Sequence, residues 1–461
     1  MGKPGTDRGR VSAAAGDHLA WLDARIDYER TPPRGSSRAA FGLARMRSLL
    51  AAIGSPHHDV PAVHVAGTKG KGSTVAMLAA ILEEAGYRTG RYLSPHVHGV
   101  EERIAVAGLP IGPVDFAAAC EVVRPAVERL DRAAAGRNAA GPTWFEIVTA
   151  LAFTHFARSK VEFAVLETGL GGRLDATNVC RPVVTVITSI SFDHMGLLGR
   201  TIRSISGEKA GIIKRGCPVI SGVGQPSARR VVAETARRRR ARLLQLGRDF
   251  SLAHEPAEPA ATLAPGDVVV TPREGGGHRY TLGMIGSHQA ANAALAVMAA
   301  RELADRGFSI SEGAIARGLA GTRLPARIEV IGRRPLVVAD AAHNVASLES
   351  LLATVGPAIA GRRPRVLLFA ASRDKQVGEM LEAAGGHFEH VVLTRYTTNP
   401  RAASIERLKA ACRRAGLPKP RIAATPNVGL AEARKLAGPT GSVIVAGSFF
   451  LAAEVRTGGR G

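Results

Sequence analysis

A chain of 461 residues with 46% hydrophobic content holds more apolar material than one ordinary core needs, and it predicts two domains or more. No uninterrupted apolar run approaches the roughly 18 residues that span a bilayer, and the opening MGKPGTDRGRVSAAAGDH lacks the apolar stretch of a secretory signal, so the expectation is a soluble, cytoplasmic protein without a membrane partner. The net charge of +22 suits an anionic partner but does not choose among nucleotide, polycarboxylate, nucleic acid and acidic lipid.

The four cysteines, Cys120, Cys180, Cys217 and Cys412, show no Cys-x-x-Cys spacing, which argues against a zinc site or a redox pair. In chain order, the first chemical signal is HVAGTKGKGSTVAML, residues 64 to 78. An apolar strand at Val63 to Val65 runs into glycines 67, 70 and 72, and a helical pattern starts near Ser73. The glycines let the backbone turn tightly with several N–H groups on one side, Lys71 adds a cation, and the helix adds its positive dipole end. The stretch departs from the strict Gly-x-x-x-x-Gly-Lys-[Ser/Thr] pattern at Val65 and Gly72, yet a triphosphate is its natural ligand.

VEFAVLETG reads as the next buried strand and places Glu167 at its end, where an acid can hold Mg²⁺; LGGRLDATN follows as a second glycine turn. PVVTVITSISFDH reads as a strand ended by Asp193 and His194, after which Glu208 and Lys209 open a further short segment. In SARRVVAETARRRRARLLQL, Val232, Ala236, Leu243 and Leu244 recur at helical spacing, so the run Arg237 to Arg240 reads as a solvated helix face. Residues 246 to 283, rich in Pro, Gly and acidic residues, read as a peripheral β-rich excursion.

The domain boundary is placed at Gly321 to Leu324, between the helical ISEGAIARGLA and the strand RIEVI. Beyond it, PLVVADAAHN, RVLLFAASRDK, HVVLTRYTTNP and SVIVAGSFF repeat the pattern of apolar run, polar turn and helix, and the tail Thr457 to Gly461 is expected to be disordered. Continuous apolar strands alternating with helices give an α/β class with two doubly wound parallel-sheet domains: a P-loop ATPase-like domain over 1–322 with an N-terminal extension, and a smaller Rossmann-like domain over 323–461. Ligands gather beyond the carboxyl ends of such strands, which singles out Lys71, Glu167, Asp193, His194, Asp340, His343, Lys375 and Ser448.

The blocks GTKGKGS, SPHVHGVEERI, LETGLGGRLDATN, SFDHMGLLGRTIRSISGEKAGIIK, SHQAANAA, ARIE, DAAHN and GSFFLAAE, in this order from about Trp21 to Glu454, resemble the folylpolyglutamate synthases and dihydrofolate synthases of the Mur ligase superfamily. The resemblance implies an ATP-dependent amide ligase that phosphorylates the terminal carboxylate of a folate or dihydropteroate and lets L-glutamate capture the acyl phosphate. By the same resemblance Gly67, Thr68, Gly70, Lys71, Gly72, Ser73 and Thr74 bind the ATP phosphates, Asn292 contacts adenine, Arg327 the γ-phosphate and Asp340 the ribose. Magnesium, at two sites, is expected on Ser73, Ser94, Glu167, His194 and a carbamylated Lys209, since a carbamate, unlike an ammonium, can coordinate a cation.

Thr143, Trp144, Phe145 and Glu146, with Leu174, Asp175 and Ala176, match the pterin-side block, and His343 and Ser448 are implied for the incoming glutamate. Lys71, Lys209, His194 and Arg327 carry the catalytic expectation. The resemblance further implies ATP bridging both domains with closure that excludes water, and a monomer with no nucleic-acid partner. The chain departs from the family's common pattern at Lys69 (usually Asn), Ala326 and Ala341 (usually Gly), and in VAGSFF where TGSLY is common. Alternative readings are a Mur-type cell-wall peptide ligase, disfavoured by LGGRLDATN and the short region before Val63, and a nucleic-acid-stimulated P-loop ATPase, for which no recognisable module is present. Without the resemblance, Arg327 would read as an Arg beside Glu329 and Asp340 as a helix cap.

Overall fold

The computed structural model describes residues 16–29, 41–96, 99–136, 139–259 and 262–457, so the tail beyond Thr457 lies outside the described residues. The chain divides into two compact units: Met1–Ala253, Val268–Tyr280 and Ala291–Thr322 form the first, and His254–Asp267, Thr281–Ala290 and Arg323–Gly461 the second. Two pieces read from the sequence as part of the first domain thus cluster with the second unit. The cause is apolar packing, because Leu263 and Ile285 join Leu348, Leu351 and Leu352 in that unit's core.

In the first unit the strands β1 (Ala62–Ala66), β2 (Thr89–Tyr92), β3 (Ile104–Val106), β4 (Leu109–Pro110), β5 (Phe163–Glu167), β6 (Pro182–Ile187), β7 (Val219–Ser221) and β8 (Leu243–Gln245) form an eight-stranded sheet. Its order is β4-β3-β2-β5-β1-β6-β7-β8, parallel from β2 to β8 and antiparallel at the β3 and β4 edge. β1 is central, with Val63 paired to Val165 of β5 and Val184 of β6, and all five of its residues are buried. That two-sided burial suits a mostly apolar strand in a parallel sheet, and the one polar side chain, His64, is buried with its Nε2 2.8 Å from Thr177 Oγ1. The excursion after β8 forms a separate three-stranded sheet of β9 (Phe250–Glu255), β10 (Asp267–Pro272) and β11 (His278–Thr281).

The first unit's helices that matter below are α1 (Lys71–Glu84), α2 (Pro113–Ala135), α3 (Trp144–Arg158), α4 (Ile202–Ala210), α5 (Pro226–Arg238), α6 (Ser287–Asp305) and α7 (Glu312–Gly321). Phe116 and Val123 of α2 and Leu151 and Phe156 of α3 share a core with Tyr92, Ala164 and Leu166. α5 buries Ala228, Val231, Val232 and Ala236 and leaves Arg237 to Arg240 exposed, the solvated face expected. Leu243 and Leu244, however, do not continue that helix; they lie in edge strand β8. Among the described residues no helix is long and apolar enough to cross a membrane.

The second unit carries β12 (Glu329–Arg333), β13 (Leu336–Ala339), β14 (Arg365–Phe369), β15 (His390–Leu393), β16 (Arg421–Ile422) and β17 (Ser442–Ala446) in the order β12-β13-β17-β14-β15-β16. All pairings are parallel except β12 with β13. Helices α8 (Val345–Ile359), α9 (Val377–Ala383) and α10 (Ile405–Arg414) cover one face through Leu348, Met380 and Leu408, while α11 (Pro426–Ala437) and α12 (Phe449–Thr457) cover the other through Leu430 and Leu451.

α1 is buried along nearly its whole length, and α7 lies against it at close quarters: a Cβ on Gly318 would sit 2.6 Å from the Ile81 backbone. At Gly321, by contrast, a Cβ meets nothing within 4 Å. Gly318→Ala is therefore expected to destabilise the protein by about 1–3 kcal/mol by forcing the two helices apart, whereas Gly321→Ala leaves the thermal midpoint unchanged or slightly raised; equal midpoints for the two variants would contradict this packing.

Candidate functional site

β1 ends at Ala66, and α1 begins at Lys71, two residues earlier than the sequence pattern suggests. Gly70 caps the helix at φ 83, in the left-handed region that favours glycine, and a Cβ there would run into the side-chain oxygen of Asn292 on α6. Asn292 therefore lies against the turn itself. The turn is stitched to the segment after β6: the Thr68 amide donates to the Ser189 carbonyl at 2.7 Å, the Lys69 amide to Ser189 Oγ at 3.1 Å, and Thr188 Oγ1 to the Lys69 carbonyl at 2.6 Å. Gly67 has no room for a side chain because Thr188 Oγ1 occupies it.

The Thr74 amide donates to the Gly70 carbonyl at 2.9 Å, so the amides of residues 71 to 73 precede the first intrahelical bond. With the helix dipole and Lys71 they make an anion-binding end. Ser73 and Thr74 are buried there, and Thr74 Oγ1 has no hydrogen-bond partner among the described residues.

Glu167 closes β5 almost fully buried. Its Oε1 lies 3.7 Å from Lys71 Nζ, its Oε2 accepts the Ser94 amide at 3.0 Å, and a Cβ on Gly72 would lie 3.2 Å from Oε2. Ser94, Lys71, Gly72 and Glu167 are thus brought together. Lys209 joins from another element, since it lies in the last turn of α4 rather than opening a new segment, and its Nζ donates to the Gly67 carbonyl at 2.7 Å with the residue 4% exposed. Burial first and Lys71 second pull its pKa from 10.5 down to about 7, against the opposing effect of Asp193 and Asp175.

Asp193 and His194 do not end a strand. β6 stops at Ile187, because Thr188 to Ser191 are drawn aside to hydrogen-bond the glycine turn. His194 sits at φ 48 before the short helix Met195–Leu198, its ring Nε2 3.8 Å from Asp193 Oδ2 and its side chain 38% exposed. Among the described residues no group of three or more His, Cys, Asp or Glu side chains gathers as a metal cage. One buried carboxylate and a serine at a helix start nevertheless suit magnesium, which keeps several waters and takes phosphate oxygens.

The Thr143 to Glu146 block has a local duty that its pattern announces, Thr-x-x-Glu ahead of an apolar run. Thr143 caps α3, and Glu146 Oε2 accepts the Thr143 amide at 2.8 Å, the Thr143 hydroxyl at 2.9 Å and Arg45 Nε at 3.1 Å. Trp144 is buried, and the Phe145 ring lies over Gly169, whose Cβ would come 2.5 Å from its Cζ. Asp175 is buried with its oxygens accepting Leu170 N at 2.8 Å and Thr177 N at 3.0 Å; burial raises its pKa against these bonds. Leu174 beside it is half-buried and Ala176 buried.

Sequence reasoning gave no role to Arg103, yet it is 1% exposed and organises this region. Its guanidinium forks onto Glu29 at 2.9 and 2.5 Å, donates to His96 Nδ1 at 2.9 Å and stacks 4.6 Å above the Trp144 ring. Burial disfavours its charge, but Glu29 outweighs that and holds it cationic. The signal was inside EERI, but its partner lies 74 positions away.

In the second unit, Asp340 follows β13 and accepts the Ile328 amide at 2.8 Å and the Ala342 amide at 2.7 Å. Burial raises its pKa, opposed by Arg327. It does not cap α8, whose N-cap is Asn344, and Glu329 pairs with Arg456 at 2.7 Å, so both plain readings of Asp340 and Arg327 are corrected. The Arg327 guanidinium donates to the Ala326 carbonyl at 3.1 Å and lies 5.8 Å from the Phe449 ring centroid. His343 Nδ1 is 2.9 Å from the Ala341 carbonyl, Ser448 is buried after β17 with Oγ accepting the Phe450 amide at 3.1 Å, and Lys375 is partly exposed after β14.

Comparison with known proteins agrees with this geometry. Residues 65–300 match the Mur ligase middle domain, and residues 326–449 the Mur ligase glutamate ligase domain. The dihydrofolate synthase/folylpolyglutamate synthase of Bacillus subtilis is 40% identical over 79% of this chain and 81% of its own length. The folylpolyglutamate synthase of Lacticaseibacillus casei is 35% identical over 78% and 82%. The structure of Mycobacterium tuberculosis folylpolyglutamate synthase complexed with ADP and AMPPCP superposes with a TM-score of 0.85 at 31% identity, covering 98% of this chain and 99% of that one. With both domains matched and relatives of this identity covered over four fifths of their length, the chain belongs to the folylpolyglutamate synthase and dihydrofolate synthase family of the Mur ligase superfamily.

Proposed function

We propose that this protein is an ATP-dependent ligase forming carbon-nitrogen bonds, which joins L-glutamate to folates through an acyl phosphate and releases ADP and phosphate. The observation that carries the reading is the glycine turn before α1, with Lys71 at its helix start and buried Glu167 3.7 Å away. The two domain matches and the nucleotides bound in the M. tuberculosis relative support it.

A carboxylate is a poor electrophile, and transferring a phosphoryl group to it brings two anions together, so positive charge must be concentrated where they meet. Gly67, Thr68, Gly70, Lys71, Gly72, Ser73 and Thr74 are assigned to the phosphates, for which the amides of 71 to 73 and the unpartnered Thr74 hydroxyl are suited. Ser73, Ser94, Glu167, His194 and a carbamylated Lys209 would hold magnesium, at two sites; bound there, the metal would neutralise phosphate charge. The lowered pKa of Lys209 supports carbamylation, because only the neutral amine attacks CO₂ and about half of it is neutral near pH 7.

Asn292 is assigned to adenine, Arg327 to the γ-phosphate and Asp340 to the ribose. His343 and Ser448 are assigned to glutamate. Thr143, Trp144, Phe145 and Glu146, with Leu174, Asp175 and Ala176, line the pterin side in this reading; the commitments of Glu146 and Asp175 to backbone amides make them its scaffold, with Phe145 over Gly169 the flat surface. Dihydropteroate as a second acceptor is supported by the bifunctional name of the B. subtilis relative, while the L. casei relative is named for folylpolyglutamate synthesis alone.

Incubation with ATP, Mg²⁺ and labelled glutamate is expected to transfer label to tetrahydrofolate and to dihydropteroate in separate tubes; transfer to neither refutes the reading, and transfer to one alone fixes the specificity. Lys71→Met and Glu167→Gln should each lower glutamate-dependent ADP formation by about 100-fold or more, and wild-type rates in either would overturn the assignment. Lys209→Ala should lose activity that bicarbonate cannot restore and short carboxylates partly return. Because the Lys209 amine has a folded pKa of about 7 against 10.5, the folded state binds fewer protons than the unfolded between those values, so its burial costs most below pH 7 and is relieved as pH rises. In CO₂-free buffer the stability of Lys209→Met relative to wild type should accordingly shrink by about 2–3 kcal/mol from pH 6 to pH 9, read from unfolding midpoints, and a constant gap would contradict the buried-amine assignment.

A further inference from the structure

A fully buried histidine stands in the middle of β1, a strand whose other four residues are apolar. The ring Nε2 of His64 lies 2.8 Å from Thr177 Oγ1, and that hydroxyl donates to Asp175 Oδ1 at 2.5 Å. Asp175 also accepts the Thr177 amide on Oδ1 at 3.0 Å and the Leu170 amide on Oδ2 at 2.8 Å. One carboxylate thus grips both ends of the turn from 170 to 177. His64 Nδ1 has no hydrogen-bond partner among the described residues.

The placement of protons follows from the number of donors. A hydroxyl carries one proton, and Thr177 gives it to a carboxylate, at a distance typical of a charge-assisted bond. Toward His64 the hydroxyl can then only accept, so the imidazole proton resides on Nε2 and Nδ1 is a bare lone pair. The other tautomer would strand a buried N–H without an acceptor and leave Thr177 without its donor. Burial first and Lys214 second push the pKa of the ring from 6.5 down to about 3, so it is neutral. The chain from His64 through Thr177 to Asp175 is therefore directional, each member donating to the next, and such buried networks rigidify what they join.

Asp175 needs no histidine to cap the short helix Ala176–Val179, because its own bond to the Thr177 amide does that. The imidazole behind the hydroxyl adds a tie between β1, which runs on into the glycine turn, and the turn that starts beside Gly169. On its other side that turn is tied to the end of α4: the Arg173 amide donates to the Glu208 carbonyl at 2.7 Å, and Asn178 Nδ2 to the Gly211 carbonyl at 3.2 Å. Gly169 is the residue under the Phe145 ring.

We propose that His64 is a positioning residue for the acid substrate: acting through Thr177, its imidazole N–H holds the Asp175 carboxylate, and with it the turn beside Gly169 against which the Phe145 ring is seated. This rests on the reading of Phe145 and Asp175 as the pterin side. His64 itself does not touch the substrate.

The test compares His64→Leu, which keeps bulk and removes the donor, with His64→Gln, which restores an amide N–H, and Thr177→Val with Thr177→Ser. Asp175→Asn is the reference, and thermal midpoints are the check on folding. His64→Leu and Thr177→Val should each raise the KM for folate roughly tenfold, the effect of one lost hydrogen bond, while the KM values for ATP and glutamate stay within about twofold, as expected for a local effect on one subsite. His64→Gln and Thr177→Ser should recover most of that loss. The His64→Leu/Thr177→Val double variant should be no worse than Thr177→Val, showing that His64 acts through the hydroxyl. If Asp175→Asn raises folate KM but neither His64→Leu nor Thr177→Val does, if ATP KM rises as far as folate KM, or if Gln and Ser are no better than Leu and Val, the positioning role is overturned and the pterin side stands. If Asp175→Asn leaves folate KM unchanged, the assignment of Asp175 to the pterin side is refuted and the positioning role falls with it. Should His64→Leu fail to fold, Thr177→Val against Thr177→Ser decides by the same criteria.

Discussion

The hydrogen bond from Lys209 Nζ to the Gly67 carbonyl is the constraint around which the first unit's site is arranged. It places an amine from α4 against the turn that precedes α1, within the electrostatic reach of Lys71. Lys71 and Lys209 disfavour each other's charge here, and a bound polyanion relieves that repulsion by supplying negative charge. The same physics explains why Lys209 is buried without being charged at all times: desolvation and Lys71 push one way and two aspartates push the other. Backbone geometry makes the arrangement tight, since neither Gly67 nor Gly70 leaves room for a Cβ, one against Thr188 and the other against Asn292.

The fold was largely legible because its strands are continuous apolar runs. All seven runs singled out from the sequence are strands, and they occupy the central positions of the two parallel sheets. What escaped were short strands: β2, β3, β7 and the edges β4, β8 and β16 have few residues and no distinctive pattern. Leu243 and Leu244 looked helical because spacing alone cannot register that Arg239 and Arg240 break the helix and the chain then pairs with β7. The excursion was recognised as β-rich, but its division between two units was invisible, because it depends on where Leu263 and Ile285 find apolar neighbours.

At the candidate site, the glycine turn, Lys71 and Glu167 were legible by local pattern, and the fold brings them together. Those whose role is set by three-dimensional partners were not. Asp193 and His194 were placed on a strand because the apolar run reaches Ile190, whereas Thr188 and Ser189 leave the sheet to bind the turn. The Thr143 to Glu146 block resembles a substrate surface and folds as a helix cap; a capping box and a binding block can share the same residues, and only coordinates reveal which polar atoms are already engaged. Arg103 stood inside the EERI block without a reading of its own, since it gains its meaning from Glu29, 74 positions away in sequence.

The buried fork between Arg103 and Glu29 has a bearing on where the folding unit begins. The matched family domains start at residue 65, yet Glu29 reaches in from well before it to neutralise a guanidinium that is otherwise sealed between His96 and Trp144. Arg45 does the same from its side for Glu146 at the start of α3. A protein trimmed to the matched domains would leave a buried cation without its counterion, a defect that costs on the order of 3–5 kcal/mol. Glu29 and Arg45, ahead of the first central strand, therefore belong to the first unit's packing as firmly as the matched domain does.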